Sequence, residues 1–510
     1  MTVAAASPRQ QQCSRLRRNI GMLALLLGGF ALAPQALAQA RTLGALKFKP
    51  CALASAFSAE AIEAYCTQLR VAENPALPNG RKIALKIAWL PARREDAAED
   101  PVFLLAGGPG QSALESYPTV APAFADVRKR RHVILVDQRG TGGSGKLVCR
   151  DRDGDSAVME PDAAQTLAAA RAFAERCRVQ LSRTADLRYY TTTDAVRDLD
   201  SVRRALGAKQ INLLGVSYGT RVAQQYAMRH PASTRAIVLD SVVPNSLVLG
   251  GGHARNLEAS LDLQFARCAR LPSCRQKLGN PRANLATLMT RLRADPPLVA
   301  YRDGMSGERR QERLTPAHVA GLTRMFAYAP AAAAVLPLLL AEAVRGDYQS
   351  LMALSDMVGR QVGDQIMHGM QLSVICSEDD AELRSDPAVA DSLLGNVMVE
   401  FSRAQCAVWP KGVRPANFRA PLATRVPALL LSGEFDPVTP PKYGDAVAKY
   451  LPNGRHLVLR GQGHSLVGIG CMPKVFARFI ETANAKALDV KCLAKLPYTP
   501  PFTGFYGWEP

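Results

Sequence analysis

The chain has 510 residues, too many for one minimal domain and enough for a large core carrying an insertion. Its 48% apolar and 21% charged content is that of an ordinary globular protein, which excludes a disordered or fibrous chain. The net charge of +19 is scattered, with one short run at 128–131 and no basic stripe interleaved with aromatics, so a nucleic-acid partner is not expected.

Arg9, Arg15, Arg17 and Arg18 precede an apolar run at 21–33, and Ala36-Leu37-Ala38 then offers small residues. This pattern predicts a secretory signal over 1–38 with cleavage after Ala38, and loss of its four arginines leaves +15. The apolar run is short for a retained membrane span. An exported, secreted or periplasmic chain meets an oxidising compartment. The ten cysteines after Cys13 fall into sequence-local pairs: Cys51 with Cys66, Cys149 with Cys177, Cys268 with Cys274, Cys376 with Cys406, and Cys471 with Cys492. Five disulfides are expected. No Cys-x-x-Cys or clustered Cys/His spacing suggests a metal, and no cofactor is expected.

The 51–66 stretch reads as a short helical hairpin closed by its disulfide, and 82–89 as an edge strand. Residues 101–105 form a continuous apolar run, as in a strand buried on both faces. It ends in Ala106-Gly107-Gly108-Pro109-Gly110. A second buried strand, 132–136, leads into Asp137-Gln138-Arg139-Gly140-Thr141-Gly142. An amphipathic helix at 193–206 follows, then a strand at 211–214, a helix at 220–229 and a strand at 236–239. This alternation predicts an α/β fold with a mostly parallel, doubly wound sheet. From 245 to 422 the text turns helical, including an Ala- and Leu-rich helix over 327–343. The alternation resumes with a strand at 426–431, a helix at 442–450 and a strand at 456–459. The expected organisation is a core of 39–244 and 423–510, a helical cap of 245–422 inserted before the later strands, and an extended tail at 497–510.

The chemistry sits at the strand ends. Gly215-Val216-Ser217-Tyr218-Gly219 lies between a buried strand and a helix, the setting in which a strained turn lifts a serine hydroxyl into the open. A serine needs a base in contact and an acid to orient that base. The chain supplies Ser217, then Asp436, then His464, each after a strand, which is the α/β-hydrolase order. Asp240 also follows a strand and is the best rival for the acid; Glu434 is a lesser one. The oxyanion donors expected are the backbone N–H of Tyr218 and that of Gly108.

Four motifs, Gly107-Gly108-Pro109-Gly110, Asp137 to Gly142, Gly215 to Gly219, and Gly433-Glu434-Phe435-Asp436-Pro437-Val438-Thr439-Pro440, together resemble the prolyl iminopeptidase and tripeptidyl aminopeptidase group of α/β-hydrolases. Ser373 to Asp379 and the late cysteine pair resemble the secreted tripeptidyl aminopeptidase branch. Many prolyl iminopeptidases carry His where this chain has Ala106, a departure that bears on proline specificity rather than catalysis. The resemblance implies an exported serine hydrolase that removes tripeptides, other short peptides or single residues from free N-termini. An esterase or lipase with the same triad is the alternative, and a non-catalytic binding protein on this fold is a third reading. By resemblance, Glu378 and then Asp379 are candidates for the substrate ammonium, with a solvated acidic loop as the plain alternative. Asp137 and Arg139 are expected to be structural, joined in a salt bridge that holds the oxyanion loop.

Overall fold

The computed structural model describes residues 39–55, 58–150, 166–363 and 365–508. The expected signal segment and its cleavage point lie outside the described residues. Twelve strands are found among these: β1 (Arg41–Leu43), β2 (Leu46–Ser55), β3 (Ser58–Ala72), β4 (Lys82–Leu90), β5 (Ala98–Leu105), β6 (Arg131–Val136), β7 (Ile211–Val216), β8 (Thr234–Asp240), β9 (Leu298–Arg302), β10 (Arg309–Arg313), β11 (Ala428–Gly433) and β12 (Gly454–Leu459). Ten form one sheet in the order β1-β2-β3-β4-β6-β5-β7-β8-β11-β12. The run from β6 to β12 is parallel throughout, and β1 to β4 extend it as an antiparallel wing.

The parallel strands are apolar because both faces of the sheet are covered. Successive residues of a strand point to opposite faces. Leu213 therefore joins one apolar layer with Val196, Leu199, Val222 and Tyr226, while Leu214 joins another with Tyr117, Val475, Phe476 and Phe479. The helix Thr192–Ala205 begins at a capping box in which Thr191 and Asp194 satisfy each other's backbone amides.

The antiparallel wing corrects two expectations. The Cys51 to Cys66 stretch is a β-hairpin of β2 and β3, not a helical one; Lys49 pairs with Cys66 and Cys51 with Ala64. Its alanine-rich composition suggested helix, but Ile62, Ala64 and Cys66 turn inward at a spacing of two. The 82–89 strand is not at an edge. As β4 it lies between β3 and β6, and from Ile87 on it is buried on both sides.

The insertion lies between β8 and β11 and is largely helical, with one hairpin, β9–β10, that the sequence did not announce. The expected 327–343 helix is broken into Pro330–Ala333 and Leu336–Val344, each with proline in its first turn. Leu257, Leu261, Leu288, Leu322, Leu339 and Met352 give the insertion an apolar cluster of its own. The later helices His368–Glu378 and Val397–Cys406 behave differently. Their Met370, Val374, Cys376 and Cys406 join the apolar layer of the main sheet. The described residues from Ala40 on form one compact unit.

All five expected cysteine pairs are bonded, with S–S distances between 1.87 and 2.05 Å. Among the described residues no helix is long and apolar enough to cross a membrane. Residues 497–508 of the tail contain no helix or named strand but are held: Phe502 donates its amide to the Ala334 carbonyl at 2.8 Å.

Candidate active site

Ser217 stands between β7 and the helix Tyr218–Arg229 with φ +56° and ψ −123°, a conformation that side-chain-bearing residues rarely adopt. The flanking glycines follow from space. A Cβ on Gly215 would sit 2.3 Å from the Gly219 carbonyl oxygen, and one on Gly219 would sit 2.2 Å from that of Leu105. The turn is fixed from the neighbouring strand, because the Ser217 amide donates to the Asp240 carbonyl at 2.8 Å.

The loop after β5 lies against this turn. A Cβ on Gly107 would come within 3.1 Å of the Ser217 Cβ. Gly108 has φ +105° and Gly110 φ +108°, and the Gly110 carbonyl accepts the amide of Met367 at 2.9 Å. The helix starting at Tyr218 has no side-chain cap at Ser217, and a helix N-terminus favours negative charge. Gly107 is the residue of this loop that lies against Ser217, with Gly108 next to it in sequence.

The Asp137–Arg139 salt bridge expected from the sequence is not formed. Asp137 instead accepts Ser112 Oγ at 2.6 Å, the Leu114 amide at 3.1 Å and the Gly143 amide at 2.8 Å, which pins the glycine loop to the loop after β6. Arg139 turns away and clasps Asp198 through two bonds of 2.7 Å. Asp198 comes from a distant helix, so sequence proximity pointed to the wrong carboxylate.

Asp436 and His464 come from the loops after β11 and β12. His464 Nδ1 lies 2.8 Å from Asp436 Oδ2. Asp436 is buried and also accepts the amides of Val438 and Thr439, at 2.9 and 2.8 Å, and the Thr439 hydroxyl at 2.7 Å. Burial disfavours its charge, but His464 and the Thr439 bonds outweigh this and hold the carboxyl below its ordinary value. For His464 burial favours the neutral ring, yet the charges of Asp436 and Asp240 and the Asp436 hydrogen bond prevail and raise its pKa. Thr439 was not singled out in the sequence, although a threonine three residues after an aspartate is a recognisable side-chain-to-backbone turn.

The rival acids are occupied elsewhere. Asp240 accepts the amides of Leu466 and Val467. Glu434 accepts the Gly461 amide at 2.7 Å and the Tyr498 hydroxyl at 3.3 Å. Above His464 lies Tyr328 of the insertion, whose ring centroid is 5.1 Å away and whose carbonyl accepts the His464 amide at 2.8 Å.

Glu378 and Asp379 are not on an open surface. Both side chains are fully buried and share Arg221, at 3.8 and 3.1 Å. Glu378 also accepts the Thr192 amide at 2.6 Å and its hydroxyl at 2.9 Å, and that hydroxyl lies 2.6 Å from the Tyr218 hydroxyl. Asp379 pairs further with Arg419 at 2.9 Å. Burial pushes Glu378 up to about 7, with Arg221 opposing and Asp379 adding to the rise. The reason is the packing of the helices His368–Glu378 and Val397–Cys406, which join an apolar layer of the main sheet. The two acids therefore brace the helix that follows Ser217. Among the described residues no cluster of His, Cys, Asp and Glu is arranged to hold a metal ion.

Residues 100–292 match the family model described as alpha/beta hydrolase fold, and residues 391–492 match the one described as TAP-like protein. Serine protease Hip1 of Mycobacterium tuberculosis is 25% identical over 481 residues, covering 84% of this chain and 87% of its own. Tripeptidyl aminopeptidase of Streptomyces lividans is 26% identical over 475 residues, covering 84% and 83%. Carboxylesterase B of Mycobacterium tuberculosis is 29% identical over 514 residues, covering 92% and 96%.

Proposed function

The chain is an α/β-hydrolase with a TAP-like C-terminal part, and from this we propose that it is an exported serine peptidase that releases short peptides from free N-termini. The observation that carries the reaction class is the pairing of His464 with buried Asp436 at 2.8 Å, on strand ends that also present the strained Ser217 turn.

In the proposed cycle His464 takes the proton of the Ser217 hydroxyl as its oxygen attacks the substrate carbonyl. Asp436 fixes the ring with its Nδ1 proton inward and stabilises the imidazolium. The negative oxygen of the tetrahedral adduct is received by the amides of Gly108 and Tyr218. His464 returns the proton to the leaving amine, the C–N bond breaks, and an acyl group remains on Ser217. Water, deprotonated by His464, then frees the acid and restores the serine.

The peptide reading is supported by the two relatives named as peptidases, and export by the signal-like N-terminus and the five disulfides. A direct ammonium contact for Glu378 is not part of this proposal, because Thr192 and Arg221 already enclose its carboxylate. An esterase remains the second reading, favoured by the relative named Carboxylesterase B. The experiment is turnover of one peptide chromophore with a free and with an acetylated N-terminus, beside a short aryl ester and with Ser217→Ala as control. Cleavage confined to the free amine supports the aminopeptidase. Ester turnover without peptide turnover supports the esterase.

A further inference from the structure

The helix His253–Arg270 of the insertion carries two buried stripes of opposite character. Leu257, Leu261 and Phe265 join the apolar cluster of the insertion. Asn256 and Ser260, four residues apart and both buried, meet the loop that carries Asp436 instead. Ser260 Oγ donates to the Phe435 carbonyl at 2.6 Å and accepts Gln264 Nε2 at 2.9 Å. Asn256 Nδ2 donates to the Val438 carbonyl at 2.9 Å and to the Tyr443 hydroxyl at 3.0 Å.

The bonds to Phe435 and Val438 bracket the acid. The Phe435 carbonyl belongs to the peptide group that joins Phe435 to Asp436, and Val438 sends its own amide to Asp436 Oδ1 at 2.9 Å. The insertion grips the loop of the base as well. The Tyr328 carbonyl accepts the His464 amide at 2.8 Å, and a Cβ on Gly463 would sit 2.1 Å from that carbonyl oxygen. A polar side chain buried on a helix is costly unless it is paired, and both of these pair with the acid loop. A carboxylate orients an imidazole only as well as its own backbone is held. We propose that Asn256 and Ser260 are positioning residues: from the insertion they set the turn of Asp436, and through it the orientation of His464.

The proposal rests on Asp436 and His464 acting as the acid and base of the proposed hydrolysis. The test is kcat, KM and the pH profile of kcat/KM on the free-amine peptide and the aryl ester, with Asp436→Asn for reference. Ser260→Ala and Asn256→Ala should each lower kcat about three- to tenfold, the loss of one hydrogen bond, with KM nearly unchanged. Alanine favours the helix, so neither change disturbs the helix itself. Burial lowers the His464 pKa, and Asp436 and then Asp240 raise it past its ordinary value. A loosened Asp436 should therefore move the acid limb to lower pH, the direction expected of Asp436→Asn. Ser260→Thr keeps the hydroxyl and should restore most of kcat and of the limb. Leu261→Ala, on the apolar stripe of the same helix, should lower the melting temperature without moving either. The proposal is overturned if both alanine variants keep the wild-type kcat and limb. It is also overturned if Leu261→Ala moves both as far as they do, which would reduce the polar stripe to general support. Should an alanine variant not fold, Gln264→Ala removes only the bond behind Ser260 and should shift the limb the same way by less; no shift there overturns the proposal too. Full activity in Asp436→Asn would instead overturn the triad reading itself.

Discussion

The carboxylate of Asp240 receives the backbone amide of Leu466 on both oxygens, at 2.9 and 2.8 Å. The same residue holds Ser217 through its carbonyl, at 2.8 Å. Asp240 thus ties the serine turn to the loop that carries His464, and the best sequence rival for the acid is a brace between the other two members. Asp240→Asn keeps one acceptor oxygen and should cost about 1.5–3 kcal/mol of stability, the worth of bonds to a charged group. Asp436→Asn, which also weakens its bonds to Thr439 and His464, should instead lower kcat/KM by about 10⁴-fold, far beyond the effect of Asp240→Asn on turnover. Thermal unfolding and kinetics on the two variants check the assignment; a larger kinetic loss in Asp240→Asn would reverse it.

The conformation of Ser217 carries its own prediction. A non-glycine residue at φ +56° and ψ −123° is strained, by about 1–3 kcal/mol, and the Asp240 bond maintains it. Glycine reaches that region freely. Ser217→Ala and Ser217→Gly should both lose turnover, but the glycine variant should unfold at the higher temperature. A lower melting point for Ser217→Gly would mean that the turn is not strained.

The pH profile follows from His464. A general base works only when neutral, so a raised pKa moves the acid limb of kcat/KM to higher pH. The limb should lie above the ordinary 6.5, since Asp436 and Asp240 together overcome the effect of burial. In Asp436→Asn the larger favourable contribution is gone, and the residual activity should show its limb at lower pH. A limb that does not move between the two proteins would detach it from His464.

The parallel strands and the order of Ser217, Asp436 and His464 were legible because their signals are local. A strand buried on both faces is a continuous apolar run, and the glycines around Ser217 answer clashes within the turn itself. The β2–β3 hairpin was misread because alanine content speaks for helix, while the decisive period of two is weak in that stretch. Glu378 illustrates a different limit. Its motif was visible, but its burial against Thr192 and Arg221 depends on how the helix ending at Glu378 packs against residues distant in sequence, which no local pattern encodes. The partners of Arg139 and the approach of Tyr328 to His464 are likewise long-range and leave no mark in spacing.

The tail gives the last prediction. The Tyr498 ring meets Arg267 of the insertion, 3.6 Å from its centroid, and Arg460 of the core, at 4.7 Å. Its ring also lies 5.8 Å from that of Phe435, the neighbour of Asp436. Its hydroxyl reaches Glu434 at 3.3 Å. One side chain therefore joins insertion, core and the acid-bearing loop. The Arg267 contact is worth about 0.5–2 kcal/mol, and with the ring's packing on Phe435 Tyr498→Ala should destabilise the protein by about 1–3 kcal/mol. It should also lower kcat, because the Asp436 loop loses its support. Tyr498→Phe keeps the ring and should show only a small part of both effects. Melting curves and kcat for the two variants separate ring from hydroxyl; equal losses would place the support in the Glu434 bond instead.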